Sequence, residues 1–301
     1  MKSIDRRLFL GYAIRSAAAL GLEGTVLGRL QSAYAAGAAG LPSVLWLAGG
    51  ACTGCTVSLA NRISASHPTD VGDLLLNTID LQFHPNLMGA AGQLAVDVLV
   101  DASHGPYVLA VEGSIPTAFG GRACVVWSDR GEDVTMADAV GRLAPGALAV
   151  LAVGTCASYG GVSSAAPNPA GGRSVRDFTG LPAINIPGCP VHPDWVVWTI
   201  AQLLAGVSPA LDDKGRPKTL YSRTVHERCP RRETEEAKTF GVEGRCLEEL
   251  GCKGPETRAE CPVSLWNGGT NWCIGANAEC IGCTEPKFPD GWGSFYKRDV
   301  V

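Results

Sequence analysis

The chain has 301 residues, 46% of them apolar, with a formal net charge of −4. Its length and apolar content support a large core and room for two domains, and they exclude a disordered tail or a fibre. The acidic balance argues against nucleic acid as a partner.

Residues 1–35 read as a targeting segment. Arg6-Arg7-Leu8-Phe9-Leu10 precedes a weakly apolar Ala/Leu/Gly stretch, and Ala33-Tyr34-Ala35 offers a small-residue cleavage site, the order expected of a twin-arginine export signal. Lys2, Arg6, Arg7, Arg15 and Arg29 outweigh Asp5 and Glu23 by three charges, so the exported chain would carry −4 − 3 = −7. Beyond this segment no apolar run approaches the roughly 18 residues of a membrane span. A soluble periplasmic protein is therefore expected.

Residues 36–210 alternate short apolar runs with amphipathic ones. Ser43 to Gly49, Leu74 to Phe83, Tyr107 to Val111, Ala147 to Val153 and Ala183 to Ile186 are predicted strands, while Val134 to Leu143 and Trp195 to Leu204 carry helical spacing. This βαβ pattern predicts an α/β fold with a doubly wound parallel sheet. Gly-x-Gly-x-x-Gly is absent after the first strand, and Gly49 to Gly54 runs into Cys55 rather than Lys, so neither a dinucleotide nor a P-loop site is supported. Cysteine follows the strands instead: Cys52 and Cys55 after the first, Cys156 after the fourth, Cys189 after the fifth. Parallel strands gather their carboxyl ends at one edge, which brings these four thiols together. Glu112-Gly113 ends the third strand at the same edge and reads equally well as a helix-capping or solvated carboxylate.

From about residue 211 to 301 the strand and helix patterns fade into Gly, Pro, charge and cysteine. His226, Cys229, Cys246, Cys252, Cys261, Cys273, Cys280 and Cys283 follow one another in a stretch too poor in apolar residues to build its own core, so metal is expected to hold it. With Cys124 set aside, the remaining eleven of the twelve cysteines and His226 make twelve candidate ligands, or three sites of four. Disulfides are the alternative in an exported chain, but they belong mainly to small domains with poor cores, and the twin-arginine route suits a passenger folded around a cofactor. Thiolate-rich sites hold zinc or iron-sulfur clusters. Pro follows Cys189, Cys229 and Cys261, as in ferredoxin motifs, and favours iron-sulfur.

Cys52-Thr-Gly-Cys55, Gly154-Thr155-Cys156, Pro187-Gly188-Cys189-Pro190, His226-x-x-Cys229, Gly251-Cys252-Lys253-Gly254-Pro255, Cys261-Pro262 and Cys280-Ile-Gly-Cys283-x-Glu-Pro together form a specific set. On these motifs the chain resembles the small, electron-transferring subunit of periplasmic nickel-iron hydrogenases, from the twin-arginine segment to Phe295-Tyr296. The resemblance implies a flavodoxin-like first domain with a proximal 4Fe-4S cluster on Cys52, Cys55, Cys156 and Cys189. It implies a distal 4Fe-4S cluster on His226, Cys229, Cys246 and Cys252, and a medial cluster on Cys261, Cys280 and Cys283. Many members have Pro after Asn-Trp and a medial 3Fe-4S cluster. Here Asn271-Trp272-Cys273 offers a fourth thiolate, so three 4Fe-4S clusters are expected, the medial one being 3Fe-4S if Cys273 does not ligate.

Cys273, with Thr56-Val57 where many members have Glu at the second position, resembles the nickel-iron-selenium subgroup. The extra cysteines of oxygen-tolerant membrane-bound members correspond to Gly54 and Gly161, so the special proximal cluster and C-terminal membrane helix of those members are not expected. The implied partners are a large subunit holding nickel, for which this chain has no spare Cys-x-x-Cys pairs, and an external acceptor such as a periplasmic multihaem cytochrome c. No residue here is expected to act as a catalytic acid, base or nucleophile. Cys124 reads as a core residue, His67, His84, His104 and His192 as structural or surface groups, and Arg231-Arg232 as a solvated pair. The rival readings are a quinone-reductase subunit, which leaves the cysteine-rich tail unexplained, and a zinc-stabilised exported binding protein.

Overall fold

The computed structural model describes residues 43–292. The twin-arginine segment and Phe295-Tyr296 lie outside the described residues. Five parallel strands form the central sheet: β1 (Ser43–Ala48), β2 (Asp80–Phe83), β3 (Tyr107–Glu112), β7 (Ala149–Val153) and β9 (Ile184–Ile186), in the order β2-β1-β3-β7-β9. Two-stranded pairings flank it: β4 (Ile115–Pro116) with β8 (Gly172–Arg173), and β5 (Val125–Asp129) with β6 (Glu132–Thr135). The helices are α1 (Gly54–Ala60), α2 (Val71–Asn77), α3 (Gln93–Ser103), α4 (Met136–Leu143), α5 (Gly154–Tyr159), α6 (Val175–Thr179), α7 (Pro193–Leu204), α8 (Lys218–Tyr221), α9 (Val225–Arg228) and α10 (Cys261–Ser264).

The strands are apolar on both faces because both faces are covered. Val44 and Trp46 of β1, with Val108 and Ala110 of β3, face a core containing Leu59 of α1 and Trp195 and Ile200 of α7. Leu45, Leu47, Leu109 and Val111 point the other way, towards Leu99 of α3 and Met136 and Val140 of α4. The sheet order and the two covered faces give the flavodoxin-like doubly wound architecture expected from the sequence.

The first core does not stop at the sheet. It continues through Leu220, Tyr221, Val225, Leu247, Trp272 and Ile274 and takes in the partly buried Cys55, Cys229, Cys252, Cys261 and Cys280. The cysteine-rich segment, with its few short helices, is thus packed on one face of the sheet.

One predicted strand is corrected. Leu74 to Phe83 is split into α2 and the four-residue edge strand β2. Asp70 caps α2 by accepting the Asp73 N–H at 2.9 Å, and Leu74 is the one α2 leucine that is fully buried. A run of three leucines fits either period, and the cap decides it. The predicted helix at Val134 begins two residues late because Thr135 and Asp138 form a reciprocal capping box and Val134 belongs to β6. Among the described residues no helix is long and apolar enough to cross a membrane.

Candidate metal centres

β1, β7 and β9 each deliver cysteine to the carboxyl edge of the sheet. After β1, Thr53 adopts φ 63° and turns the chain into α1, placing Cys55 in its first turn. After β7, Gly154 adopts φ +82° and opens α5, which carries Cys156. A Cβ on Gly154 would stand 2.5 Å from the Cys55 sulfur, so only glycine lets these elements meet. A Cβ on Gly54 would stand 3.0 Å from the Cys52 sulfur, and one on Gly161 3.0 Å from that of Cys156, so both glycines lie against this group.

Burial pushes the Cys55 thiol far above its ordinary value, and Glu112, Cys156 and Cys189 add to the rise. Burial, then Cys156 and Cys52, push Cys189 up to about 11. Cys156 and Cys189 act on Cys55, and Cys156 and Cys52 act on Cys189, so the four cysteines are brought together as the strand order requires.

A second group forms where α10 meets the chain between Asn271 and Cys283. Burial and then Cys283, Cys280 and Cys273 raise the Cys261 thiol well above its usual range. Cys280 is pushed up to about 11, chiefly by burial. Cys283 is raised by burial and by Cys280, and the backbone N–H of Cys189 opposes the rise. Cys273 is the exposed member of this group, yet it is close enough to act on Cys261, Cys280 and Cys283.

A third group surrounds α9. Thr224 and Glu227 cap this single turn reciprocally, fixing His226 three residues before Cys229. Ligating atoms of His226, Cys246 and Glu248 lie within 4.8 Å of one another. Cys229 is raised by burial and by Cys246 and Cys252, while the Arg231 N–H, 3.4 Å from its sulfur, opposes. The Cys252 sulfur accepts the N–H groups of Gly254 and Cys280, both at 3.4 Å. Glu248 carries no signal in the sequence, because a carboxylate two positions after a cysteine has no spacing that marks it. The Cys280 bond joins the third group to the second, and the Thr155 hydroxyl, bonded to the Cys283 carbonyl, joins the second to the sheet edge, where Cys189 also acts on Cys283.

All twelve cysteines are free. Clustered buried thiols held far above their normal ionisation range need a cation to become thiolates. The donor set, eleven thiols and one imidazole in three groups with backbone N–H groups aimed at sulfur, fits iron-sulfur ligation.

Cys124 stands apart from these groups, packed against the core beneath α4. His84 and His192 are buried, and His192 caps α7 by accepting the Asp194 N–H at 3.2 Å. Arg231 departs from the solvated pair predicted. It is half-buried and donates to Asn277 Oδ1 at 2.7 Å, tying the Cys229 turn to the loop after Cys273. Glu112 is 2% exposed and meets the N-terminus of α1, so the capping alternative and the edge alternative are both realised.

This fold and cysteine-bearing edge define an oxidoreductase subunit, and residues 52–203 match the family described as NADH ubiquinone oxidoreductase, 20 Kd subunit. Residues 221–296 match the family that describes the C-terminal part of the NiFe/NiFeSe hydrogenase small subunit. The periplasmic [NiFeSe] hydrogenase small subunit of Desulfomicrobium baculatum is 41% identical, over 98% of this chain and 99% of its own. The periplasmic [NiFe] hydrogenase small subunit of Solidesulfovibrio fructosivorans is 37% identical, over 98% and 93%. A solved H2-activated [NiFeSe] hydrogenase structure from Dm. baculatum superposes with a TM-score of 0.78 at 42% identity, covering 86% of this chain and 99% of the other. The chain belongs to the small-subunit family of nickel-iron and nickel-iron-selenium hydrogenases.

Proposed function

We propose that this chain relays electrons between the H2-activating site of a large subunit and an external acceptor through three iron-sulfur clusters. The observation that carries this reading is the ordered adjacency of the three ligand groups, linked by the Cys189–Cys283 and Cys252–Cys280 contacts. The proximal cluster would be held by Cys52, Cys55, Cys156 and Cys189, the medial by Cys261, Cys273, Cys280 and Cys283, and the distal by His226, Cys229, Cys246 and Cys252. When bound, such clusters accept and release single electrons at potentials set by charge, hydrogen bonds to sulfur and solvent exposure.

The chain's own residues orient the sulfurs, exclude water and supply the N–H donors. The sheet unit would span residues 36–210 and the cluster-bearing segment 211–301, with residues 1–35 serving twin-arginine export to the periplasm. A multihaem cytochrome c suits the role of acceptor at the His226 end. The exposed Cys52 edge suits the large subunit, since electrons must enter at the opposite end from His226.

The test is purification with the large subunit, followed by metal analysis and visible spectroscopy under H2. Three 4Fe-4S clusters require about twelve iron atoms and a brown absorption that H2 bleaches. The separated small subunit should neither consume nor evolve H2. A colourless zinc protein, or hydrogen turnover by this chain alone, would overturn the reading.

A further inference from the structure

Glu112 ends β3 at the sheet edge and is buried beside the first turn of α1. Its carboxylate meets four donors. Oε1 accepts the Cys55 N–H at 3.1 Å and the Thr56 N–H at 3.2 Å, while Oε2 accepts Trp46 Nε1–H at 3.1 Å and faces the Thr56 hydroxyl at hydrogen-bond range. Behind Thr56 lies His84, fully buried, with Nε2 3.3 Å from Thr56 Oγ1, its ring stacked on Trp46 at 5.1 Å.

The direction of this chain follows from its far end. The Asn86 N–H donates to His84 Nδ1 at 3.1 Å, so Nδ1 carries no proton. Burial lowers the His84 pKa to about 4, which keeps the ring neutral at pH 7. A neutral ring with an accepting Nδ1 must carry its proton on Nε2. Nε2–H therefore donates to Thr56 Oγ1, and the Thr56 hydroxyl is left to donate to Glu112. Trp46, Cys55 and Thr56 supply only N–H donors. Every neighbour of the Glu112 carboxylate thus gives it a hydrogen, and none is left to accept one from a protonated acid.

We propose that the buried Glu112 carboxylate, held in place by the Trp46, Cys55 and Thr56 donors and oriented by the Asn86–His84–Thr56 chain, lowers the reduction potential of the cluster held by Cys52, Cys55, Cys156 and Cys189. This rests on the proximal assignment above. Two effects act in the same direction. The carboxylate repels each electron arriving at that site, and in this low-dielectric edge the repulsion is weakly screened. It also occupies the Cys55 and Thr56 N–H groups, which would otherwise be free to donate to cluster sulfur and favour the reduced form. Each transfer moves one electron in from the large-subunit side and one out to the next site. The Glu112 carboxylate forms and breaks no bond in this step.

The test is an anaerobic redox titration of the complete heterodimer, with proximal reduction followed by electron paramagnetic resonance and iron counted in the same samples. Wild-type iron tests the ligand assignment, and the midpoint tests the role of Glu112. Glu112→Gln keeps the shape and Oε1 but removes the charge. At the wild-type midpoint its reduced-to-oxidised ratio should rise at least about tenfold, equivalent to about 59 mV for one electron.

Thr56→Val removes one neutral donor and leaves the charge less compensated, so its midpoint should move the opposite way. A Glu112→Gln midpoint within a factor of about two of wild type in that ratio would overturn the proposal. So would loss of proximal iron from Glu112→Gln together with an unshifted Thr56→Val midpoint, which would restrict Glu112 to holding α1 in place.

Discussion

Thr155 donates its hydroxyl proton to the carbonyl oxygen of Cys283 across 128 positions of sequence, and the same hydroxyl oxygen accepts the Gly188 N–H at 2.9 Å. Cys156 and Cys189 are the chain neighbours of Thr155 and Gly188, so this hydroxyl ties the sheet-edge group to the second group without any metal. Thr155→Val would leave a buried N–H and a carbonyl without partners, at about 1–3 kcal/mol for each buried group left unpaired. Thr155→Ser should restore most of the loss. Thermal unfolding of the purified complex measures both, and a valine variant as stable as wild type would show that the link does not matter.

Cys273 tests the composition of the second group. With four thiolates the wild type should carry about twelve iron atoms and show no oxidised 3Fe-4S resonance when prepared without oxygen. Cys273→Pro should lower iron to about eleven and make that resonance appear. A stoichiometric 3Fe-4S signal in the wild type would leave Cys261, Cys280 and Cys283 as the only ligands there.

His226 tests the exit. Its replacement by Ala should leave hydrogen isotope exchange at the large subunit unchanged while reduction of an external acceptor falls by about tenfold or more, the scale on which disturbed metal ligation acts. Equal losses in both assays would place His226 away from the electron exit.

Asp212 and Arg216 test the junction between the sheet and the cysteine-rich segment. Arg216 is 0% exposed and donates to Asp212 Oδ2 at 2.8 Å, to Glu285 Oε1 at 2.7 Å and to the Thr284 carbonyl at 3.3 Å. Burial alone would raise the Asp212 pKa, but its bonds to the Arg216 backbone and guanidinium outweigh burial and hold it below its ordinary value. Because the folded-state pKa is depressed, this stabilisation is complete above the ordinary carboxylate value of about 3.9 and fades as pH falls through the lower folded value.

Arg216→Met, which strands two carboxylates, should cost about 3–5 kcal/mol at pH 7. Asp212→Asn should cost less, and its deficit relative to wild type should shrink below about pH 4. Stability curves from pH 2 to pH 8 would show this, and a deficit that grows on acidification would contradict it.

The sheet and its ligand edge are legible in the sequence because two signals agree: apolar runs mark strands buried on both faces, and cysteine stands at the end of three of them. Leu74 to Phe83 misleads because its leucines satisfy helix and strand alike, and the deciding information lies upstream in Asp70. Arg216 gives no warning, since a single arginine in a Gly/Pro-flanked turn reads as solvated until its near neighbours Asp212 and Tyr221, and Glu285 from 69 positions away, close around it. Glu112 can be placed at the edge from topology alone. The direction in which the Thr56 hydroxyl points cannot, because that depends on which nitrogen of His84 faces Asn86.

The contact between Cys189 and Cys283 also sets an order of assembly. Synthesis delivers all four sheet-edge cysteines before Cys229, whereas Cys283 is the last of the twelve candidate ligands to emerge. The edge can therefore gather its thiols once all five strands of the sheet have been made. The second group must wait for Cys283 to return to that edge, so a chain stalled between Cys261 and Cys283 would hold complete ligand sets at the sheet edge and around α9 while the thiols of the second group stay open.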